Sequence, residues 1–307
     1  MKLGLIFAGQ GSQYVGMGKS LYDNYPEARE VIDDISLDFD FKEMMFSGNE
    51  EELSQTANTQ PCMVAVAVMA TRLLNDRGIV PDYTCGLSLG EYSALSCAGV
   101  LTPKEAVELV RVRGKAMEKA VEGLKSKMVA IIGLDRDKLN EAISKVNSGV
   151  VSIANYNCPG QLVIGGEEEA VDEVSQLALE AGARRAIPLK TSGPFHTALL
   201  KSASEELHEY FKNVDFKDMK LPVIFNSTGK ELEEGVTVAQ MLEKQVMSPV
   251  YFEDSIRYMI DHGVDTIIEV GPGKVLSGFV KKIDRKIKLY QVEDQETLEK
   301  AVSELRG

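Results

Sequence analysis

Apolar positions along the chain fall into three textures. Short, mostly apolar stretches at residues 2–8, from Tyr83 up to the turn at Ser88, Pro222–Asn226 and Thr266–Val270 read as buried strands, the pattern of a parallel sheet covered by helices. The stretch Cys62–Leu74 is apolar nearly all round and reads as a buried helix, with Pro61 placed to begin it and Gly78 to end it. Helices are expected over Thr102–Val121, Val238–Met247 and Val275–Lys282 and from near Val15 or Lys19, with an amphipathic one after Thr197. Residues 40–60 are polar and helix-forming. Thr102-Pro103-Lys104-Glu105 has the residues of a capping box, with Thr at the N-cap, Pro at the first helical position and Glu two further on.

Between Lys127 and Lys190 the pattern changes. Strands at Met128–Leu134, Val150–Tyr156, Gln161–Ile164 and Ala183–Leu189 alternate with helices at Asp135–Asn147 and Glu167–Ala181, and a turn lies at Asn157–Gly160. The order is βαββαβ, that of a ferredoxin-like unit. The expected fold class is therefore α/β: a parallel-sheet core over 1–126 and 191–307, interrupted by a small inserted unit over 127–190.

One turn organises the chemistry. Gly86-Leu87-Ser88-Leu89-Gly90 follows a strand and precedes an Ala/Leu/Ser helix, the G-x-S-x-G spacing of a nucleophile elbow. A serine at the apex of so sharp a turn leaves no room for side chains beside it, so glycines flank it. Its place at a helix N-terminus favours developing negative charge. A serine hydroxyl needs a base. Of three histidines, His208 lies on a charged helix face and His262 in a helix C-terminal turn. His196, in the constrained loop Ser192-Gly193-Pro194-Phe195-His196-Thr197, is the candidate base. No Asp or Glu stands out to orient it, and a backbone carbonyl is the alternative. Arg111 and Arg113 lie two positions apart on one helix and so face different ways, one free to enter a cleft. Spacing alone makes Arg113 a surface residue; a buried guanidinium would bind a carboxylate.

Two glycine-rich turns are weaker signals. Gly9-Gln10-Gly11 lacks the third glycine of a dinucleotide fingerprint and reads as a turn presenting N–H groups and Gln10 to a pocket. Gly271-Pro272-Gly273-Lys274 lacks P-loop spacing.

The 307 residues can bury a sizeable core, and the charge balance of 34 basic against 47 acidic residues, net −13, argues against nucleic acid as a general partner. No stretch is long and apolar enough to span a bilayer, and the apolar run at residues 3–8 is too short for a signal peptide. Cys62, Cys85, Cys97 and Cys158 show no C-x-x-C spacing and are expected as buried, reduced thiols of a cytoplasmic protein.

Several stretches in order carry a resemblance over nearly the whole chain: Phe7–Gln13, Thr59-Gln60-Pro61, Gly86–Glu91, Arg113-Gly114, Asn155–Gln161, Gly193–His196, Gln245–Pro249 and Glu269–Gly273. Together they resemble the bacterial malonyl-CoA:acyl carrier protein transacylases. The resemblance implies an α/β-hydrolase-like core with the site in the cleft beside the ferredoxin-like insert. It implies Ser88 as nucleophile and His196 as base, oriented by a backbone carbonyl near Gln245. The backbone N–H groups of Gln10 and Leu89 would form the oxyanion hole. Arg113 would clamp the malonyl carboxylate, and Phe195 would crowd out an α-methyl branch. Malonyl-CoA and holo-acyl carrier protein are the implied partners, with no cofactor beyond the coenzyme A thioester, no metal, no nucleic acid and no membrane, in a monomer. Leu87 departs from the histidine common before the nucleophile. The basic run Lys281, Lys282, Arg285, Lys286 and Lys288 is a candidate carrier-docking surface. A serine esterase or thioesterase using the same pair, or a binding module in which the elbow is only a turn, are the competing readings.

Overall fold

The computed structural model describes residues 1–306. In chain order the strands are β1 (Leu3–Phe7), β2 (Tyr83–Gly86), β3 (Ser126–Ile132), β4 (Val151–Cys158), β5 (Gln161–Glu167), β6 (Arg185–Pro188), β7 (Val223–Ile224), β8 (Thr266–Val270) and β9 (Lys288–Val292). They form two separate sheets. The first has the order β7-β2-β1-β8-β9, and every neighbouring pair runs parallel. β1, β2 and β8 are buried at every position, which is why apolar residues dominate them; the charged exception, Glu269 of β8, accepts the N–H groups of Leu276 and Ser277. Successive side chains of β1 go to opposite faces. Leu5 and Phe7 join the large cluster around the Thr56–Asp76 helix, while Ile6 packs with Phe252, Ile256 and Val280.

The second sheet, β4-β5-β3-β6, is antiparallel throughout. Val129 and Ile131 face its own two helices, Arg136–Ser144 and Glu168–Glu180, in a small core with Leu139, Val171 and Val174. Met128 and Ala130, one residue out of phase, instead join the core shared with the parallel-sheet unit. Backbone bonds fasten the two units: Val250 N–H to the Ala154 carbonyl and Tyr156 N–H to the Val250 carbonyl, each 2.8 Å. Beside them Arg136 holds Asp254 bidentately at 3.1 and 2.7 Å and stacks over the Tyr156 ring.

Differences from expectation have local causes. Pro61 lies inside the Thr56–Asp76 helix, not at its start. A proline there cannot donate to the carbonyl four residues back, that of Ala57. Arg111 Nη1 donates to that carbonyl instead, at 2.8 Å, so the helix continues through the proline with the freed acceptor satisfied. Arg111 also grips Asp38 with two bonds, so it is anchored at the surface while Arg113 turns inward. The capping box at Thr102 and Glu105 is formed in both directions. β4 runs on to Cys158, leaving only Pro159-Gly160 as the turn, with Gly160 at φ 72°. β6 and β7 are shorter than expected. The pattern gave no sign of edge strand β9, half-exposed and begun by Lys288, nor of the closing Gln295–Arg306 helix. All four cysteines are free thiols, and Cys97, ending the Gly90–Cys97 helix, is only partly buried. Among the described residues no helix is long and apolar enough to cross a membrane.

Candidate active site

The carboxyl ends of β1 and β2 open on a cleft of about 630 Å3, closed on its far side by Met128, Ala130 and Val163 of the antiparallel sheet. Ser88 stands at its floor. The backbone there is left-handed, with φ 54°, and His196 has φ 63°; these are the only non-glycine residues with positive φ among those described. Strain of this kind, roughly 1 kcal/mol or more per residue, persists only where the surroundings enforce it. The close approach of backbone around Ser88 requires the flanking glycines. A Cβ on Gly86 would run into the backbone of Gly90, and one on Gly90 into the Phe7 carbonyl. We expect Gly86→Ala to cost about 3 kcal/mol or more, because the clash is with backbone that cannot swing away. A chemical-denaturation midpoint equal to wild type would contradict this.

Ser88 Oγ lies 2.7 Å from His196 Nε2, and His196 Nδ1 lies 2.9 Å from the Gln245 carbonyl. A carbonyl can only accept, so Nδ1 carries the proton and Nε2 is left as the acceptor for the serine hydroxyl. The carbonyl is available because Gln245 ends the Val238–Gln245 helix, where C=O groups lack intrahelical partners and the dipole is negative. A helix terminus thus takes the orienting place that an acidic side chain fills in many serine hydrolases. Burial, reinforced by the Arg113 charge, lowers the His196 pKa to about 4. The ring is therefore neutral and ready as a base at pH 7. Protonation removes the acceptor, so serine acylation should hold level from neutral pH to about 5 and fall with a midpoint near 4. A kcat/KM profile that already falls near pH 6.5 would contradict this.

Arg113 is fully buried. Gly114 beside it permits the approach of its helix to the Thr56–Asp76 helix, since a Cβ there would stand 2.7 Å from Ala57 Cα. Arg113 Nη1 then donates to Gln60 Oε1 at 2.9 Å, and Nη2 to both Gln245 Oε1 and Ser88 Oγ at 3.1 Å. Its Nε has no partner, and among the described residues no carboxylate lies within ion-pair distance of the guanidinium. Burial pulls its pKa below the usual value, opposed by the nearby Tyr92 and Glu91. A buried cation held by neutral amides is a receptor for an anion.

The remaining expected residues converge here. Gln10 and Leu89 line the cleft, and their backbone N–H groups find no acceptor among the described residues. The Gln10 side chain is fixed by Thr56 Oγ1 at 3.0 Å. Phe195 lines the wall beside His196. Gln245 does more than orient the imidazole: its Nε2 donates to the Ser88 carbonyl at 2.9 Å. Leu87 also lines the cleft and packs so closely on Gly9 that a Cβ there would clash with it. His208 pairs with Glu243 on an exposed face, and His262 caps its helix, stacked on Tyr258, so neither reaches the site. Gln60 is marked in the sequence only as part of the Thr59-Gln60-Pro61 motif, and Asn226, which binds the elbow backbone, carries no local signal.

The geometry has close counterparts. The acyl transferase domain family matches residues 5–298. The malonyl CoA-acyl carrier protein transacylase of Bacillus subtilis (strain 168) is 45% identical over 99% of this chain and 98% of its own. Among solved structures, the malonyl CoA-acyl carrier protein transacylase of Clostridium perfringens superposes with a TM-score of 0.96 at 42% identity, covering 100% of this chain and 98% of that one. A malonyl-transacylase solved with its type II PKS acyl-carrier protein in the holo form gives 0.95 at 36% identity, covering 99% and 100%. The hydrogen-bonded serine–histidine pair, the free amide donors and the near-identical fold agree with this match along almost the full length, and the chain belongs to the acyl transferase domain family.

Proposed function

We propose that this chain transfers the malonyl group from malonyl-CoA to the phosphopantetheine thiol of acyl carrier protein through a malonyl-Ser88 intermediate. The single observation that carries the reading is a serine–histidine pair whose nucleophile also touches a buried guanidinium without an ion-pair partner. An esterase needs the pair; only an acyl group bearing a free carboxylate needs the cation.

In the first half-reaction Ser88 Oγ attacks the thioester carbonyl as His196 Nε2 takes its proton. The oxyanion is received by the N–H groups of Gln10 and Leu89. Collapse breaks the C–S bond, and the imidazolium returns its proton to the departing coenzyme A thiolate. The second half-reaction runs the same steps with the carrier thiol as attacker. Arg113 binds the malonyl carboxylate throughout, held from behind by Gln60 and Gln245, and Phe195 narrows the space beside the α-carbon. The thioester brings its own leaving group, so the reaction as read calls for no cofactor, and one chain supplies every residue named, as a monomer requires.

We read the two units as an α/β-hydrolase-like core, 1–126 and 191–307, and a ferredoxin-like insert, 127–190. Support comes from the strand–turn–helix setting of Ser88 and from the insert's strand order, second-third-first-fourth in a βαββαβ chain. β3 already begins at Ser126, one residue earlier than the boundary drawn.

The Val275–Ile283 helix starts at the cleft mouth and ends in exposed Lys281 and Lys282, which offer positive charge to an acidic carrier. Reversing both charges should raise the carrier KM about tenfold while leaving malonyl-CoA loading unchanged, since rim charges act mainly on encounter. An unchanged carrier KM would discard that surface. The reading itself is tested by mixing the protein with malonyl-CoA and holo-carrier. Malonyl-carrier formed without matching release of free malonate supports it; malonate release independent of carrier marks a thioesterase.

A further inference from the structure

The elbow is fastened from a residue just beyond β7, at the edge of the parallel sheet. Asn226 is 1% exposed. Its Oδ1 accepts the Ser88 backbone N–H at 2.6 Å, and its Nδ2 donates to the Gly86 carbonyl at 2.6 Å. Its own backbone N–H donates to Glu91 Oε2 at 2.5 Å, and its carbonyl accepts from Tyr251 N–H at 2.8 Å. One side chain therefore holds the residue before the turn and its apex, while Glu91, in the first turn of the following helix and equally buried, holds the Asn226 backbone. The amide orientation is unambiguous, because an N–H requires the oxygen and a carbonyl requires the nitrogen.

Two consequences meet at the nucleophile. Glycines at 86 and 90 permit the turn, but permission does not select one backbone geometry; the two bonds from Asn226 do. The Ser88 N–H is also consumed, so the donors left facing the cleft are those of Gln10 and Leu89.

We propose that Asn226, held by Glu91, is a positioning residue for acylation: it sets the elbow backbone so that Ser88 Oγ meets His196 and the oxyanion donors together. This rests on the reading of Ser88 as the nucleophile. Burial raises the Glu91 pKa to about 8, opposed by the Asn226 N–H it accepts and by the nearby Arg113. Its task toward Asn226 is acceptance, which a glutamine can perform.

The test is the rate constant for Ser88 labelling by malonyl-CoA and, separately, by a fluorophosphonate, with thermal melting to give the folded fraction. Asn226→Ala should lower both rate constants per folded molecule about 100-fold, the scale of a misplaced reacting atom, with half-saturation by malonyl-CoA within about threefold of wild type. Glu91→Gln should stay within about threefold in both rates, as a retained acceptor predicts. Asn226→Asp separates positioning from mere packing. Ionised aspartate cannot donate to the Gly86 carbonyl, whereas its protonated form can. Its labelling rate should therefore fall at least tenfold between pH 6 and 9, relative to wild type over the same range. The proposal is overturned if Asn226→Ala melts lower yet labels at the wild-type rate per folded molecule. Should that variant not fold, an Asn226→Asp profile parallel to wild type overturns it equally. Wild-type protein that fails to label at all would instead sink the Ser88 reading.

Discussion

Ser88→Ala should abolish acyl transfer, lowering kcat by about 10^4-fold or more, because the covalent route has no other nucleophile within reach of His196. Stability should scarcely change. The hydroxyl removed is bound by His196 Nε2 and Arg113 Nη2, both of which face the cleft and can turn to water. The backbone contacts that hold the elbow, from Asn226 and Gln245, do not involve the hydroxyl. The variant should still bind malonyl-CoA, since Arg113 and the cleft walls remain. Steady-state rates together with equilibrium binding check both halves. Activity surviving within tenfold of wild type would place the nucleophile elsewhere.

Arg113→Ala should change which acyl group is accepted. The wild-type site should load malonyl far faster than acetyl, because acetyl leaves a buried guanidinium without its anion. Sites built around a buried polar partner reject the group lacking it by roughly 10^4-fold. Without Arg113, malonyl brings an unpaired carboxylate into a buried pocket that holds no cation, and acetyl brings nothing to pair. The malonyl-to-acetyl ratio of kcat/KM should collapse by about 10^3-fold or more, mostly through loss of malonyl loading. The variant will also be less stable, since Gln60 and Gln245 each lose a donor at about 1–3 kcal/mol per buried acceptor. The ratio is insensitive to that loss, because the folded fraction cancels. Equal loss of both acyl groups would refute the clamp. Arg113→Lys should not rescue it, as one ammonium cannot hold Gln60, Gln245 and a carboxylate from a single planar fork.

The parts of this site legible in the sequence were those whose physics is local. The elbow requires glycines beside Ser88 because backbone clashes there are unavoidable, and His196 stood out as one of three histidines in a rigid loop. Buried β1 and β8 showed as mostly apolar stretches, and β2 through the turn it feeds. Pro61 misled because the helix continues through it, and the partner that satisfies Ala57, Arg111, comes from 54 residues away. Arg113 shows the same limit. Its spacing on an amphipathic helix fits a surface residue, and only the close approach over Gly114 turns it into the cleft; family resemblance, not periodicity, pointed to its role. Asn226 was illegible, and the Gln245 carbonyl was reached only through the family resemblance, for a further reason. A backbone oxygen at a helix end has no residue signature, and an asparagine after a two-residue strand looks like any turn asparagine. Long-range hydrogen bonds gave both their roles.

The most direct measurement is intact-protein mass spectrometry after brief mixing with malonyl-CoA, with Ser88→Ala alongside. The account predicts a single malonyl adduct on the wild-type chain, none on the variant, and discharge of the adduct when holo-acyl carrier protein is added, with the malonyl mass appearing on the carrier. An adduct lost equally fast to water without any carrier, or one that persists in Ser88→Ala, would contradict it.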